Sequence, residues 1–352
     1  MNVLMIGSSL EVKGGMTTVV EGFLKNNFNK TNLYYIPTHT DGSKLKKMIF
    51  FLIALVKILF FLLFKDIAIV HMHFSERGSF TRKNLISKLS KKLKKKVVIH
   101  MHGAEFKEFY NESSIKTKKS IEKFLLRADR VLVLGESWNK FVKGINEKIK
   151  IEVMPNFVSC IDDTSKFNSN EINILFLAVL IKRKGIFDLV EAVNLIIKEK
   201  FLEQFDLNII VAGSGVELEN LKCKVQELGI EKYFEFLGWV KNEEKQEILK
   251  KSQLFVLPSY NEGLPVSILE AMSYGIPIIS TSVGSIEDAV KNEYNGLIIE
   301  PGNINALKES IKAIITNKEK WKYFSENNKK LVEEVYNEKI YFKKIEQIYY
   351  TI

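Results

Sequence analysis

Cysteine is scarce: Cys160 and Cys223 are the two in 352 residues, and no C-x-x-C pairing occurs. This excludes a disulfide framework and points to a reducing, cytoplasmic setting. No 20–50-residue repeat and no low-complexity tract is present, so repeat architectures drop out. No charged segment precedes the first apolar stretch, Asn2-Val3-Leu4-Met5-Ile6, which runs straight into Gly7-Ser8-Ser9. It reads as a buried strand and turn rather than a signal peptide. Acidic residues are few in the first 169 positions, 15 against 29 Lys+Arg, whereas the remainder carries 27 acidic and 23 basic residues. Histidine is missing from the second half altogether.

What is present fits a folded protein. Hydrophobic residues make up 46% and charged ones 27%, close to globular averages, which excludes disordered and fibrous classes. The length suits two or three domains. A basic first half suits a nucleic acid, an anionic membrane surface or a phosphorylated substrate, or else surface lysines kept for solubility.

Apolar runs without strict alternation, separated by helical patterns, predict a parallel sheet covered on both faces. Strands are expected at 2–6, 33–36, 67–72, 97–101, 131–134 and 151–153. Gly14-Gly15 opens the first helix, whose Val19, Val20, Phe23 and Leu24 fall at helical spacing. A polar stretch, Cys160–Asn170, reads as a linker, after which strands at 172–177, 207–211, 233–236, 254–257, 276–280 and 297–299 begin a second α/β half. Helices at 306–315, 318–336 and 339–350 close the chain, the last two separated by a break at Asn337. In open α/β sheets ligands sit outside the carboxyl ends of the strands, so the loops after strands should carry the function, with a cleft between two facing domains.

The most informative segment is Pro258-Ser259-Tyr260-Asn261-Glu262-Gly263-Leu264-Pro265, which leads into a helix containing Glu270 and ending before Gly275 and Pro277. It sets carboxylates on either side of the exposed N–H groups of a helix start, which favour phosphate. Carboxylates accept paired hydrogen bonds from vicinal hydroxyls. A hydroxyl, diphosphate, hydroxyl ligand suits that order, and a nucleotide sugar has it.

Together with Gly275-Ile276-Pro277-Ile278-Ile279-Ser280-Thr281, this segment resembles the signature of retaining, GT-B-fold nucleotide-sugar glycosyltransferases of family 4. Lys184-Gly185, Ala212-Gly213-Ser214-Gly215, Phe236-Leu237-Gly238-Trp239-Val240 and Asn295-Gly296-Leu297 extend the likeness over some 130 residues. The N-terminal half resembles the family more loosely, through Gly14-Gly15 and His102-Gly103-Ala104-Glu105-Phe106, and is most like bacterial capsule and exopolysaccharide members.

The resemblance implies an α/β, GT-B architecture of two Rossmann-like domains, an N-terminal acceptor-binding domain (1–165) and a C-terminal nucleotide-sugar-binding domain (171–335). A final helix, 336–352, would return to the first. It implies that Glu270 holds the ribose, that Glu262 with Gly263 and Leu264 holds the donor sugar and phosphates, and that Lys184, helped by Arg183, neutralises the leaving diphosphate. Gly213 would lie at the donor, Trp239 and Val240 would face the base, Gly14 and Gly15 would close on the phosphates or acceptor, and His102 would contact the donor sugar. Catalysis would then rest on His102, Lys184 and Glu262, with a UDP- or GDP-linked donor as co-substrate and no metal cofactor. One departure stands out: family members usually carry Gly-Arg where this chain has Ala178-Val179. That keeps open a non-catalytic nucleotide-sugar-binding partner, beside an isomerase or hydrolase of the same fold.

His71, His73, His100 and His102 pair at the ends of two strands, a spacing compatible with metal binding. No Cys or Asp lies close by to complete a ligand set, and packing is the reading taken for His71 and His100. Met48–Phe64 is apolar except for Lys57. As a helix its 17 residues would be about 26 Å long, short of a bilayer's ~30 Å core, so a transmembrane span is not expected. Packing on the sheet and partial insertion at a membrane interface are both compatible with the run. The lysine-rich stretch 85–96 supports an anionic membrane, and its lack of interleaved aromatics argues against nucleic acid. The expected location is cytoplasmic, at the inner face of the plasma membrane. The acceptor would be lipid-linked or a glycan, with Arg77, Arg82, Lys83 and Glu105 as candidate contacts.

Overall fold

Runs such as Val3–Ile6 and Ile209–Ala212 have no polar face to turn to water, and all of these residues are buried. Each is therefore a central strand with helices on both sides. The computed structural model describes residues 1–168, 170–199 and 206–352; Ser169, in the predicted linker, lies outside the described residues. The chain divides into two compact units, Met1–Asn156 with Lys339–Ile352, and Phe157–Glu338.

The first unit contains β1 (Asn2–Gly7), α1 (Gly15–Lys25), β2 (Asn32–Pro37), α2 (Lys44–Phe64), β3 (Ile67–Phe74), α3 (Gly78–Lys92), β4 (Lys96–Met101), α4 (Phe106–Glu112), α5 (Ile115–Arg127), β5 (Arg130–Val133), α6 (Glu136–Ile145) and β6 (Ile151–Val153). Its strands form one parallel sheet in the order β2-β1-β3-β4-β5-β6. The direction of winding reverses between β1 and β3. At such a switch point the loops leaving the two strands diverge and open a crevice. Gly14 and Gly15 follow β1, and Arg77 follows β3.

The second unit repeats the plan with β7 (Glu171–Leu177), α7 (Ile186–Lys198), β8 (Asp206–Ala212), α8 (Leu218–Glu227), β9 (Phe234–Gly238), α9 (Asn242–Lys251), β10 (Leu254–Leu257), α10 (Val266–Ser273), β11 (Ile278–Thr281), α11 (Ile286–Ala289), β12 (Gly296–Ile299), α12 (Ile304–Ile315) and α13 (Lys318–Leu331). The sheet order is β12-β11-β10-β7-β8-β9, all parallel, which is the doubly wound dinucleotide-binding order with its switch point between β7 and β10. Asn328 of α13 is fully buried and donates to the carbonyls of Ile276 and Asn295, so the helix is fixed by hydrogen bonds as well as apolar contact. The segment expected as a polar linker is partly built into this unit: Ser165 is buried and its amide donates to the Tyr274 carbonyl at 2.9 Å.

After a π-helical turn at Val332–Tyr336 and a break at Asn337, α14 (Glu338–Thr351) belongs almost entirely to the first unit. Its Phe342 ring stands 5.2 Å from Phe23, and the Tyr349 hydroxyl lies 2.5 Å from His71 Nδ1.

The apolar run is packed less than a sheet-covering helix would be. Only Ala54, Ile58 and Leu62 of α2 are buried, while Leu52, Val56 and Phe60 on the other side are 52%, 68% and 51% exposed. The helix also starts earlier than the run, at Lys44, so its 21 residues span roughly 31 Å, enough by length and composition to cross a membrane. Its connections exclude that. They lead to β2 and β3, which flank β1 in one sheet, and two neighbours of the same strand cannot lie on opposite sides of a bilayer.

Candidate donor site

The loops leaving β7 and β10 meet at the switch point of the second unit. In the first, Lys182–Lys184 form a single 3-10 turn closed by Gly185 at φ 71°. A Cβ at Gly185 would stand 1.9 Å from the Pro258 carbonyl oxygen, so only glycine lets the two loops touch. Gly185→Ala is expected to lower stability by about 1–3 kcal/mol, read as a shift in the urea midpoint. Across the contact the Tyr260 amide donates to the Arg183 carbonyl at 2.8 Å, and Arg183 Nη1 donates to the Asn261 carbonyl at 2.9 Å.

Glu262 is buried in this joint. Its Oε1 accepts from Lys184 Nζ and, at 2.8 Å, from Ser259 Oγ. Gly263, Leu264 and Pro265 follow, and α10 begins at Val266 with Pro265 as N-cap. Pro265 has no side-chain donor or acceptor for the helix start, so amides of the first turn remain available to an anion. Gly284, at φ 61°, packs against the Glu262 carbonyl, where a Cβ would stand 2.0 Å away. The Ser285 amide donates to the Gly263 carbonyl at 2.8 Å. Glu262 is thus clamped from two directions.

Glu270 lies on α10, partly exposed, and accepts from Lys245 Nζ of α9 at 2.6 Å. Gly213 follows β8; a Cβ there would stand 1.9 Å from the Ala178 carbonyl oxygen, so this turn lies against the loop carrying Val179. Trp239 is half-buried and Val240 buried, just past β9, two strands from β7. The structure therefore brings Arg183, Lys184, Glu262, Gly263 and Leu264 into one joint, with Glu270 along the helix that leaves it. Lys245 and Ser259 were not anticipated. Ser259 could have been found by its place three residues before Glu262; nothing in the α9 sequence marks Lys245 as the partner of Glu270.

Residues 161–331 match the family described as glycosyl transferases group 1. An uncharacterized glycosyltransferase of Methanocaldococcus jannaschii is 30% identical over 278 residues, covering 73% of this chain and 69% of that protein. The chain belongs to the group 1 glycosyltransferases. The UDP-Gal:alpha-D-GlcNAc-diphosphoundecaprenol alpha-1,3-galactosyltransferase of Escherichia coli is 27% identical over 304 residues, 81% of this chain and 75% of the relative. For a further M. jannaschii relative the aligned stretch spans 60% of its length. In fold, HepE of Anabaena, solved in complex with UDP, superposes with a TM-score of 0.79 over 100% of both chains at 15% identity. The architecture is that of a GT-B glycosyltransferase, two Rossmann-like α/β units.

The glycosyltransferase's first unit gathers the other predicted residues by itself. Gly14, at φ 148°, is the N-cap of α1, with Gly15 exposed beside it. His102 follows β4, half-buried, its Nε2 2.9 Å from His73 Nδ1; burial holds its pKa down at about 3. Arg77 reaches Glu105 at 3.9 Å. Arg82 is half-buried, whereas Lys83 is fully buried with Nζ donating to Thr38 Oγ1 at 2.7 Å, and burial, then the neighbouring Arg82 charge, pushes it down to about 7. In the lysine-rich stretch, Lys91 and Lys96 both face Asp129, so part of its positive charge is neutralised within the fold.

His71, His73 and His100 are fully buried, with candidate ligand atoms within 4.8 Å of one another. The rings of His71 and His73 are stacked at 4.9 Å and 11°. Imidazole lone pairs lie in the ring plane, so stacked rings aim them side by side rather than at a common centre, and the arrangement is that of packed rings. Burial holds His71 at about 3 and the other two well below their usual value. An unfolded histidine takes up its proton near pH 6.5. The unfolded state thus binds more protons between about pH 6.5 and 3, and stability falls as pH drops through that window. Each ring contributes on the order of 1.4 kcal/mol per pH unit. Neither ring nitrogen of His100 has a hydrogen-bond partner, so His100→Leu should keep stability at pH 7 and flatten the acid slope in urea titrations.

Proposed function

We propose that the protein is a retaining glycosyltransferase that moves a sugar from a UDP- or GDP-linked donor to a lipid-linked or glycan acceptor in cell-surface polysaccharide synthesis. The supporting observation is the buried Lys184–Glu262–Ser259 cluster at the start of α10, with Glu270 farther along the same helix. Breaking the bond to a diphosphate builds positive charge on the sugar and adds negative charge to the leaving phosphate. Lys184, Arg183 and the first amides of α10 stabilise the departing side, so the neutralisation needs no metal. Glu262 and the Gly263–Leu264 backbone hold the sugar, Glu270 the ribose, and Trp239 and Val240 the base. His102 and Gly14-Gly15 of the acceptor-binding domain complete the machinery. A thermal-shift titration with UDP, GDP and their sugars tests the assignment: one nucleotide should raise the melting temperature, and Glu270→Ala should weaken that ligand by about tenfold or more. Equal binding to both proteins would refute the role of Glu270.

Val179 favours a second reading, a nucleotide-sugar-binding partner without turnover, because the position where the family resemblance implies an arginine is apolar here and Arg183 already serves the Asn261 carbonyl. Nucleotide release measured with and without acceptor membranes separates the two, and release without acceptor would point to a hydrolase. The location proposed is the inner face of the plasma membrane, with the outward side of α2 resting on an anionic leaflet and no role for nucleic acid.

A further inference from the structure

Four histidines of the first unit lie side by side, and one contact among them ties a predicted site residue to the core. His71 and His73 are two residues apart on β3, His100 is the register partner of His73 on β4, and His102 follows β4. His73 is fully buried, whereas His102 is half-buried. The 2.9 Å between His73 Nδ1 and His102 Nε2 is closer than stacked rings approach, so these two meet edge to edge, with centroids 5.0 Å and planes 21° apart. An imidazole carries its N–H and its lone pair in the ring plane, so this placement lets one ring donate to the other.

The direction of that bond follows from the other nitrogen of His73. Nε2 is buried and has no hydrogen-bond partner among the described residues. A neutral imidazole has one N–H and one bare nitrogen, and a buried N–H without an acceptor is the rarer defect. Burial keeps both rings neutral at ordinary pH. The His73 proton therefore sits on Nδ1, and His102 Nε2 accepts it in a hydrogen bond. His102 must then carry its own proton on Nδ1. It cannot gain a second at Nε2 without setting two N–H groups against each other.

We infer that His73 is a positioning residue that locks His102 in the neutral Nδ1–H tautomer, so that His102 gives the donor sugar a hydrogen bond and exchanges no proton with it. The lock makes His102 a fixed dipole, unlike a histidine free at both nitrogens, which can act as acid or base near neutral pH. The sugar contact rests on the glycosyltransferase reading; the tautomer is a property of the protein alone.

Nitrogen-15 NMR of the full chain with labelled histidine reads both parts, because protonated and bare ring nitrogens resonate far apart and five histidines contribute. Without ligand at neutral pH, His73 and His102 should each show Nδ1 protonated and Nε2 bare, assigned through His102→Gln and the coupling across their shared hydrogen bond. His73→Asn offers His102 either an amide N–H or a carbonyl, so the single tautomer should give way to a mixture. A wild-type His102 protonated at Nε2 would overturn the inference, as would one unchanged tautomer in folded His73→Asn; the wild-type spectrum decides alone if that variant does not fold. UDP-glucose and GDP-mannose are then titrated against UDP and GDP. The nucleotide sugar that binds should shift the His102 Nδ1–H signal and leave it protonated, whereas the bare nucleotide should leave it in place. Loss of that proton, or a bound nucleotide sugar with no shift at His102, would also overturn the inference. Failure of every nucleotide to bind would strike at the donor reading, with the ligand-free spectrum still deciding the lock.

Discussion

Replacing Lys184 with alanine should lower sugar transfer by about 10²–10³-fold, the effect of removing one preorganised charge from the side of the reaction where negative charge develops. The loss should fall on kcat more than on the donor's KM, because the extra phosphate charge is largest in the transition state. The same side chain has a structural duty that must be separated from the chemical one. Lys184 is the cation beside the buried Glu262, and removing it leaves a carboxylate answered by the Ser259 hydroxyl alone. A buried charge stripped of its partner costs about 3–5 kcal/mol, enough to unfold the local joint. Lys184→Met combined with Glu262→Gln removes both charges together, so its fold should recover while transfer stays low. Steady-state rates with urea midpoints for both variants make the comparison. Full activity in the folded double variant would refute the assignment of both residues.

The second large effect concerns α2. Leu52, Val56 and Phe60 lie four residues apart and form one outward ridge, opposite the buried Ala54, Ile58 and Leu62. Changing the three outward residues to serine should leave the melting temperature unchanged or higher, since they support little of the core. Moving such half-exposed side chains into hydrocarbon contributes roughly 1–2 kcal/mol each, so vesicle partitioning should weaken by about 10²–10⁴-fold. Co-sedimentation with phosphatidylglycerol vesicles measures it, and binding unchanged in the triple variant would exclude α2 as the membrane contact. Because Lys91 and Lys96 both face Asp129, the dependence on salt should be weaker than the count of lysines suggests.

The second α/β unit was largely legible in the sequence because its strands are continuous apolar runs and its functional loop is one contiguous segment, Pro258–Pro265. Two neighbouring features were not. The order of strands is a property of pairing between distant segments, so nothing local in 171–185 told that the Lys184 loop would lie beside the loop of Glu262. The partner of Glu270 comes from α9, where Lys245 is one charge among many. In the first unit the helical character of α2 was visible, but a run apolar on every side carries no sign of which side faces the sheet. Lys83 follows the third strand together with Arg77 and Arg82, which makes it a candidate acceptor contact by sequence; its amine is turned inward to Thr38, a matter of helix phase. Leu24, expected inside by its spacing, is 40% exposed at the end of α1.

The tethering of α2 at both ends to neighbours of one strand limits how it can use a membrane. The helix can sink by at most about its own diameter, roughly 10 Å, before the sheet edge meets the headgroups. If the proposed contact of α2 with a leaflet holds, attachment of that depth would be reversible, and the protein would exchange between the leaflet and bulk water rather than stay anchored.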